Sequence, residues 1–154
     1  MAEYLFHTMP TVSIIIGSDS DKELSEAAAE ILKEFGVVYE QKTLSAHRNP
    51  KALAEYIEES ESMVFIAIAG LSAALPGAIA ALTVKPVIGV PKEVKLMGID
   101  SLLSMVQMPT GVPVATVGVD SSKNAALLAI EILSLSNKHL HEKLIEYRRN
   151  SSNK

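Results

Sequence analysis

The stretch TVSIIIGSDSDKELSEAAAEILKEFG (11–36) changes period in its middle. Its first six residues are mostly β-branched and read as a strand buried on both faces. From Lys22 onward, Leu24, Ala27, Ala28, Ile31, Leu32 and Phe35 recur at helical spacing and form one apolar stripe. Gly36 stands where a helix end favours a left-handed residue. Only Gly17, Ser18, Asp19, Ser20 and Asp21 separate the two elements. Strand, short polar turn and amphipathic helix make the opening half of a βαβ unit.

The alternation continues along the chain. VVYEQKTL (37–44) is a more polar strand suited to a sheet edge, and Pro50 opens a helix that runs to about Ser60. MVFIAIAG (63–70) is a third strand, followed by an Ala-rich helix with Pro76 near its start. PVIGVP (86–91) is a fourth strand and residues 99–106 form a helix. VPVATVGV (112–119) reads as a fifth strand, and residues 121–135 as a helix apolar nearly all round. The sum is an α/β chain with a five-stranded parallel sheet between helical layers, in a flavodoxin-like order. Residues 136–149 add a charged helix with a narrow stripe of Leu140, Leu144, Ile145 and Tyr147, which can lie on its own domain or on a neighbouring subunit.

Composition sets bounds on function. The chain has 154 residues, enough for one domain with a sizeable core; 48% are hydrophobic and 21% charged, as in a folded globular protein. A formal net charge of −4 argues against a nucleic-acid partner. The absence of cysteine excludes disulfides and thiolate chemistry. The first ten residues lack a basic start and a long apolar run, and the apolar stretches are too short to span a membrane. A soluble, cytoplasmic protein without a membrane partner is expected.

In an open parallel sheet, ligands bind beyond the carboxyl ends of the strands. The loops there read GSDSD (17–21), SAHRNP (45–50) and AGLSAALPG (69–77). Each precedes a helix N-terminus, whose free N–H groups and dipole favour anions. Together they predict a pocket for a phosphorylated ligand, although neither G-x-x-x-x-G-K-[ST] nor G-x-G-x-x-G is present. Ser20 or Asp21 can alternatively serve only as a helix N-cap. In the second loop, Arg48 offers a planar fork for phosphate, and an imidazole such as His47 can take and return a proton at cellular pH. His7 falls in the N-terminal segment. His139 and His141 stand two apart on a helix and point to different sides, so they make a poor chelating pair.

The blocks GSDSD, SAHRNP, AALPGAIAALT, PVIGVP, GIDSLLSMVQMPTGVPVATV and NAALLAIEIL, in this order, resemble the catalytic subunit family of phosphoribosylaminoimidazole carboxylase. Within it they are most similar to the class I N5-carboxyaminoimidazole ribonucleotide mutases of purine biosynthesis. The resemblance spans residues 12–135. It implies a mutase domain over 11–135, flanked by an N-terminal extension (1–10) and a C-terminal helix and tail (136–154). It implies a flavodoxin-like three-layer fold, a homo-octamer, and an isomerase that moves a carboxylate from N5 to C4 without metal or cofactor. By matching positions, Gly17, Ser18 and Asp21 meet the nucleotide, Asp21 at the ribose. Ser45, Ala46 and Arg48 hold the phosphate end, and His47 is the general acid/base. Gly70, Ser72, Ala73 and Leu75 line the base and the carbon dioxide site.

Some positions depart from that pattern. Ala74 stands where class I members carry a histidine. The segment PKEVKLMG (91–98) brings Lys92, Glu93 and Lys95 into a loop that the family keeps mostly small and neutral. The alternative is a class II enzyme that carboxylates aminoimidazole ribonucleotide directly with carbon dioxide. A more remote reading is a non-catalytic receiver module, which needs an Asp after strand three and a Lys after strand five.

Overall fold

The computed structural model describes residues 11–151. The proposed extension 1–10, with His7, and the last three residues lie outside them. The elements are β1 (Val12–Ile16), α1 (Lys22–Phe35), β2 (Tyr39–Thr43), α2 (Pro50–Glu59), β3 (Val64–Ala69), α3 (Leu75–Leu82), β4 (Val87–Pro91), α4 (Ile99–Val106), β5 (Ala115–Thr116), α5 (Ser122–Ser134) and α6 (Lys138–Ser151). Single 3-10 turns precede α1 (Asp19–Asp21) and α4 (Leu96–Gly98).

The sheet is wholly parallel, in the order β2-β1-β3-β4-β5. Ile14 lies between Gln41 of β2 and Ile66 of β3. The pleat sends alternate residues to opposite faces. Val12, Ile14, Ile16, Val64, Ile66, Ile68, Ile88 and Val90 pack against α1, α5 and α6. Ile15, Phe65, Ala67 and Val87 pack against Leu53 and Ile57 of α2, Ile79 of α3 and Met105 of α4. Both faces are therefore covered, which is why β1, β3 and β4 need unbroken apolar sequence. Each fully buried Ile or Leu stabilises the fold by roughly 1.5–3 kcal/mol relative to exposure. Truncating Ile66, with no exposed surface, to Ala should cost about 2–5 kcal/mol.

α1 ends as its sequence requires. Gly36 takes φ 74°, and its N–H reaches back to the Leu32 and Lys33 carbonyls. β2 is an edge strand, and its last three residues are exposed. β5 is the correction to the sequence reading: of the run 112–119, only Ala115 and Thr116 pair, with Ile88 and Gly89 of β4. Pro113 lacks the N–H for a longer ladder, and the strand is an edge with one neighbour. α5 also departs from an all-round buried helix. Ala125, Ala126, Ala129, Ile130 and Leu133 are buried, whereas Leu127, Leu128 and Ile132 are only partly so.

α6 packs on its own domain. Leu140 and Leu144 join the α1–α5 core, and the Tyr147 ring lies 5.4 Å from that of Phe35, while Ile145 stays largely exposed.

One polar cluster is built into the sheet at the amino ends of its strands. Ser13, fully buried in β1, hydrogen-bonds the hydroxyls of Tyr56 (2.5 Å) and Ser62 (2.7 Å). Tyr56 donates to Glu40 Oε1 at 2.7 Å, and Lys42 pairs with Glu40 at 3.2 Å. Burial and the Glu40 acceptor raise the Tyr56 hydroxyl to about 12, against a hydrogen bond from Ser13 that lowers it. Burial alone would raise the Glu40 carboxyl, but the hydrogen bonds from Tyr56 and Lys42 outweigh it and hold the carboxyl below its ordinary value.

Candidate active site

The chain leaves β1 toward β2 on one side of the sheet and returns to β3 on the other. This reversal opens a crevice beyond the carboxyl ends of β1 and β3. The three loops singled out in the sequence meet there, around a cleft of about 410 Å³. That volume is in the range of small-ligand sites.

The first loop contributes Gly17, Ser18, Ser20 and Asp21 to the lining. Asp21 occupies the N-cap position of α1 but makes no side-chain capping bond, so capping does not account for it. It is 5% exposed, a costly place for a carboxylate without partners. The partners are Ser20 Oγ at 3.1 Å, Ser18 Oγ at 3.4 Å and Lys92 Nζ at 3.1 Å.

The second loop contributes Ser45, Ala46, His47 and Arg48. Its shape comes from Ser45, whose Oγ accepts the N–H groups of His47 (3.3 Å) and Arg48 (3.2 Å), while its own N–H donates to Asn49 Oδ1 at 2.6 Å. The Ser45 hydroxyl proton is left for an acceptor in the cleft. Arg48 reaches across to the first loop and donates from one Nη to the Gly17 carbonyl at 2.5 Å. A guanidinium has five N–H donors, so this contact orients the fork and leaves donors for an anion. The His47 side chain lies exposed at the cleft wall.

The third loop contributes Ala69, Gly70, Leu71, Ser72 and Leu75. Ser72 holds φ 45°, a left-handed conformation that a non-glycine residue adopts at a cost and that concentrates at ligand sites. Ala73 stands apart from these. It is 1% exposed and belongs to the core with Ile79 and Met105, not to the cleft lining. Ala74 is exposed at the start of α3 and brings no imidazole.

Sequence reasoning missed a fourth wall. The loop after β4 places Val94 in the lining and Lys92 on Asp21. The only signal was the unexpected charge in PKEVKLMG. The buried hydroxyl of Ser101 ties this loop to the third one, lying 2.7 Å from the Gly70 carbonyl and 3.0 Å from that of Lys92. Among the described residues, no three His, Asp or Glu side chains come together as a metal donor set. A receiver module would carry an aspartate at the end of β3, where Ala69 and Gly70 stand.

Comparison with known proteins agrees with the geometry. The sequence model of the family described as AIR carboxylase matches residues 11–154. The N5-carboxyaminoimidazole ribonucleotide mutase of Methanocaldococcus jannaschii is 57% identical over 137 residues, which cover 89% of this chain and 87% of that protein. The mutase of Saccharolobus solfataricus is 51% identical over 149 residues, 94% of each chain. The crystal structure of Treponema denticola PurE superposes with a TM-score of 0.85 at 32% identity, covering 92% of this chain and 91% of that one. Agreement over nearly the whole length, in sequence and in fold, makes the assignment: the chain belongs to the AIR carboxylase family.

Proposed function

We infer that the protein is an N5-carboxyaminoimidazole ribonucleotide mutase, an isomerase of purine biosynthesis. The observation that carries this reading is the meeting of His47, Arg48 and Asp21 in one cleft, in a chain 50–57% identical to proteins of that name. Arg48 and the Ser45 hydroxyl grip the phosphate, Asp21 accepts the ribose hydroxyls, and the third loop receives the base. Small Gly17 and Ser18 let the backbone come close to the ligand.

The chemistry then needs little else. The N–C bond of the substrate breaks, carbon dioxide leaves, and the electron pair stays on nitrogen, which takes a proton from His47 acting as general acid. Ring carbon 4 bonds to the same carbon dioxide and gives up its proton to His47. The net change is one carboxylate and one proton exchanged between nitrogen and carbon. Holding carbon dioxide beside carbon 4 replaces a bimolecular encounter, and a dry cleft limits its escape. Proton transfer by a placed side chain is typically worth about 10²–10⁴-fold.

The active form is a homo-octamer in the cytoplasm. Exposed Val94, Leu96, Met97, Ile99, Leu103 and Val106 cluster on the loop after β4 and on α4, beside the cleft, and favour a subunit contact there. Among the described residues no helix is long and apolar enough to cross a membrane. Native mass measurement tests the octamer; a monomer at micromolar concentration would remove it.

The functional test compares two substrates by ultraviolet absorbance. Rapid conversion of N5-carboxyaminoimidazole ribonucleotide without added bicarbonate is expected. Turnover mainly of aminoimidazole ribonucleotide with abundant carbon dioxide would replace the mutase reading with a direct carboxylase.

A further inference from the structure

Lys92 is built differently from a surface lysine. Its backbone N–H donates to the Ala69 carbonyl at 3.0 Å, and its carbonyl accepts from Ser101 Oγ at 3.0 Å. On either side of it, Asp120 accepts from the Glu93 N–H at 3.0 Å and donates its own N–H to the Pro91 carbonyl at 2.8 Å. β3, α4 and the segment before α5 thus pin the base of the side chain. The stem starts beside Gly70 at the end of β3: a Cβ on Gly70 would lie 3.7 Å from Lys92 Cβ, an ordinary contact. The ammonium ends on the first loop, bonded to the Ser20 carbonyl and to Asp21 Oδ1. The Lys92 side chain is 21% exposed and that of Asp21 7%. An ion pair this sheltered is screened less than an exposed one, and the pinned backbone reduces the entropy lost in holding it.

The two oxygens of Asp21 are used unequally. Among the described residues, Oδ1 receives both Lys92 and Ser20, whereas Oδ2 has only the long contact from Ser18. A carboxylate offers about four lone-pair sites. Fixing Oδ1 on the protein side leaves Oδ2 with capacity for ligand hydroxyls. We propose that Lys92 is a positioning residue: it fixes the rotamer of Asp21, so that the loop after β4 sets the affinity for the ribose of the ligand. This rests on the reading of the cleft as a ribonucleotide site.

The test uses Lys92→Met, which keeps the stem and removes the charge, with the milder Lys92→Gln in reserve and Lys92→Arg as rescue. The probes are the product, 4-carboxy-5-aminoimidazole ribonucleotide, in titration calorimetry, and inorganic phosphate as a competitor. Lys92→Met is expected to weaken the nucleotide about tenfold and to raise KM by a similar factor, with a much smaller effect on kcat. Inhibition by inorganic phosphate, which depends on Arg48, should not change. Lys92→Arg should recover most of the loss. In an Asp21→Asn background, Lys92→Met should add little, because the two act as one unit. Wild-type nucleotide affinity in the Met and Gln variants would overturn the proposal. So would equal weakening of nucleotide and phosphate without rescue by arginine, the mark of a structural latch alone. A wild-type protein that binds no product nucleotide would instead bring down the ribonucleotide reading, and this assignment with it.

Discussion

Gly70→Ala tests how the third and fourth walls of the cleft fit together. The backbone of Gly70 is not in the left-handed region, so alanine is permitted there by conformation. Space is the obstacle. An added Cβ would lie 2.5 Å from Val94 Cγ2, closer than carbon atoms approach without displacement, and the next contacts are ordinary ones, Val94 Cβ at 3.6 Å and Lys92 Cβ at 3.7 Å. One methyl group therefore accounts for the whole clash. Overpacking of this kind costs about 1–3 kcal/mol, and Val94 is 43% exposed with room to yield, which favours the lower end. About 1 kcal/mol corresponds to a fall in Tm of about 3 °C in a domain of this size. The loop that yields also carries Lys92, so KM should rise as well. Val94→Ala deletes Cγ2, and the double variant Gly70→Ala with Val94→Ala should regain the Tm of Val94→Ala alone. Thermal melting of the three variants decides the matter. If the double variant melts as low as or lower than Gly70→Ala, the clash with Val94 is not the cause and the account of this wall is wrong.

Three further outcomes follow from the same structure. His47→Asn should lower kcat by about 10²–10⁴-fold while product affinity stays within a few-fold, since it removes the proton carrier and leaves the phosphate grip; wild-type turnover would sink the role given to His47. Arg48→Ala should raise KM about tenfold or more, because charge-assisted hydrogen bonds are worth about 1.5–3 kcal/mol each; an unchanged KM would count against a phosphate role. Tyr56 has a folded value of about 12 against an ordinary 10.0, so the folded state holds its proton more tightly than the unfolded chain. Its contribution, at most about 2–3 kcal/mol, is present below pH 10 and is lost as pH rises toward 12, and denaturant melts should show Tyr56→Phe lacking that alkaline decline.

What could be read from the sequence divides along a physical line. The β1–α1 unit was legible because burial on two faces and burial on one stripe leave different periods, and because Gly36 marks the end of the helix. The bounds of β5 were misread because VPVATVGV is apolar enough for a strand, whereas Pro113 lacks a ladder N–H and only Ala115 and Thr116 pair with β4. The α6 stripe was visible in Leu140 and Leu144, but a stripe does not name its partner; only the fold brings Tyr147 onto Phe35. The cleft follows the same division. Loops at strand ends can be located from the chain alone, so the sequence could place Gly17, Ser45, His47, Arg48 and Gly70 at the cleft they line. Within a tight turn, neighbours point opposite ways, and the left-handed Ser72 sends Ala73 into the core. Lys92 and Asp21 are 71 residues apart and come from strands that are not neighbours, with β3 between them. No local pattern encodes that pairing. It exists because the sheet order puts the ends of β1 and β4 within one lysine's reach. Charge in a loop that the family keeps mostly neutral is the trace such a pairing leaves in a single sequence, and it becomes interpretable only when the order of strands is known.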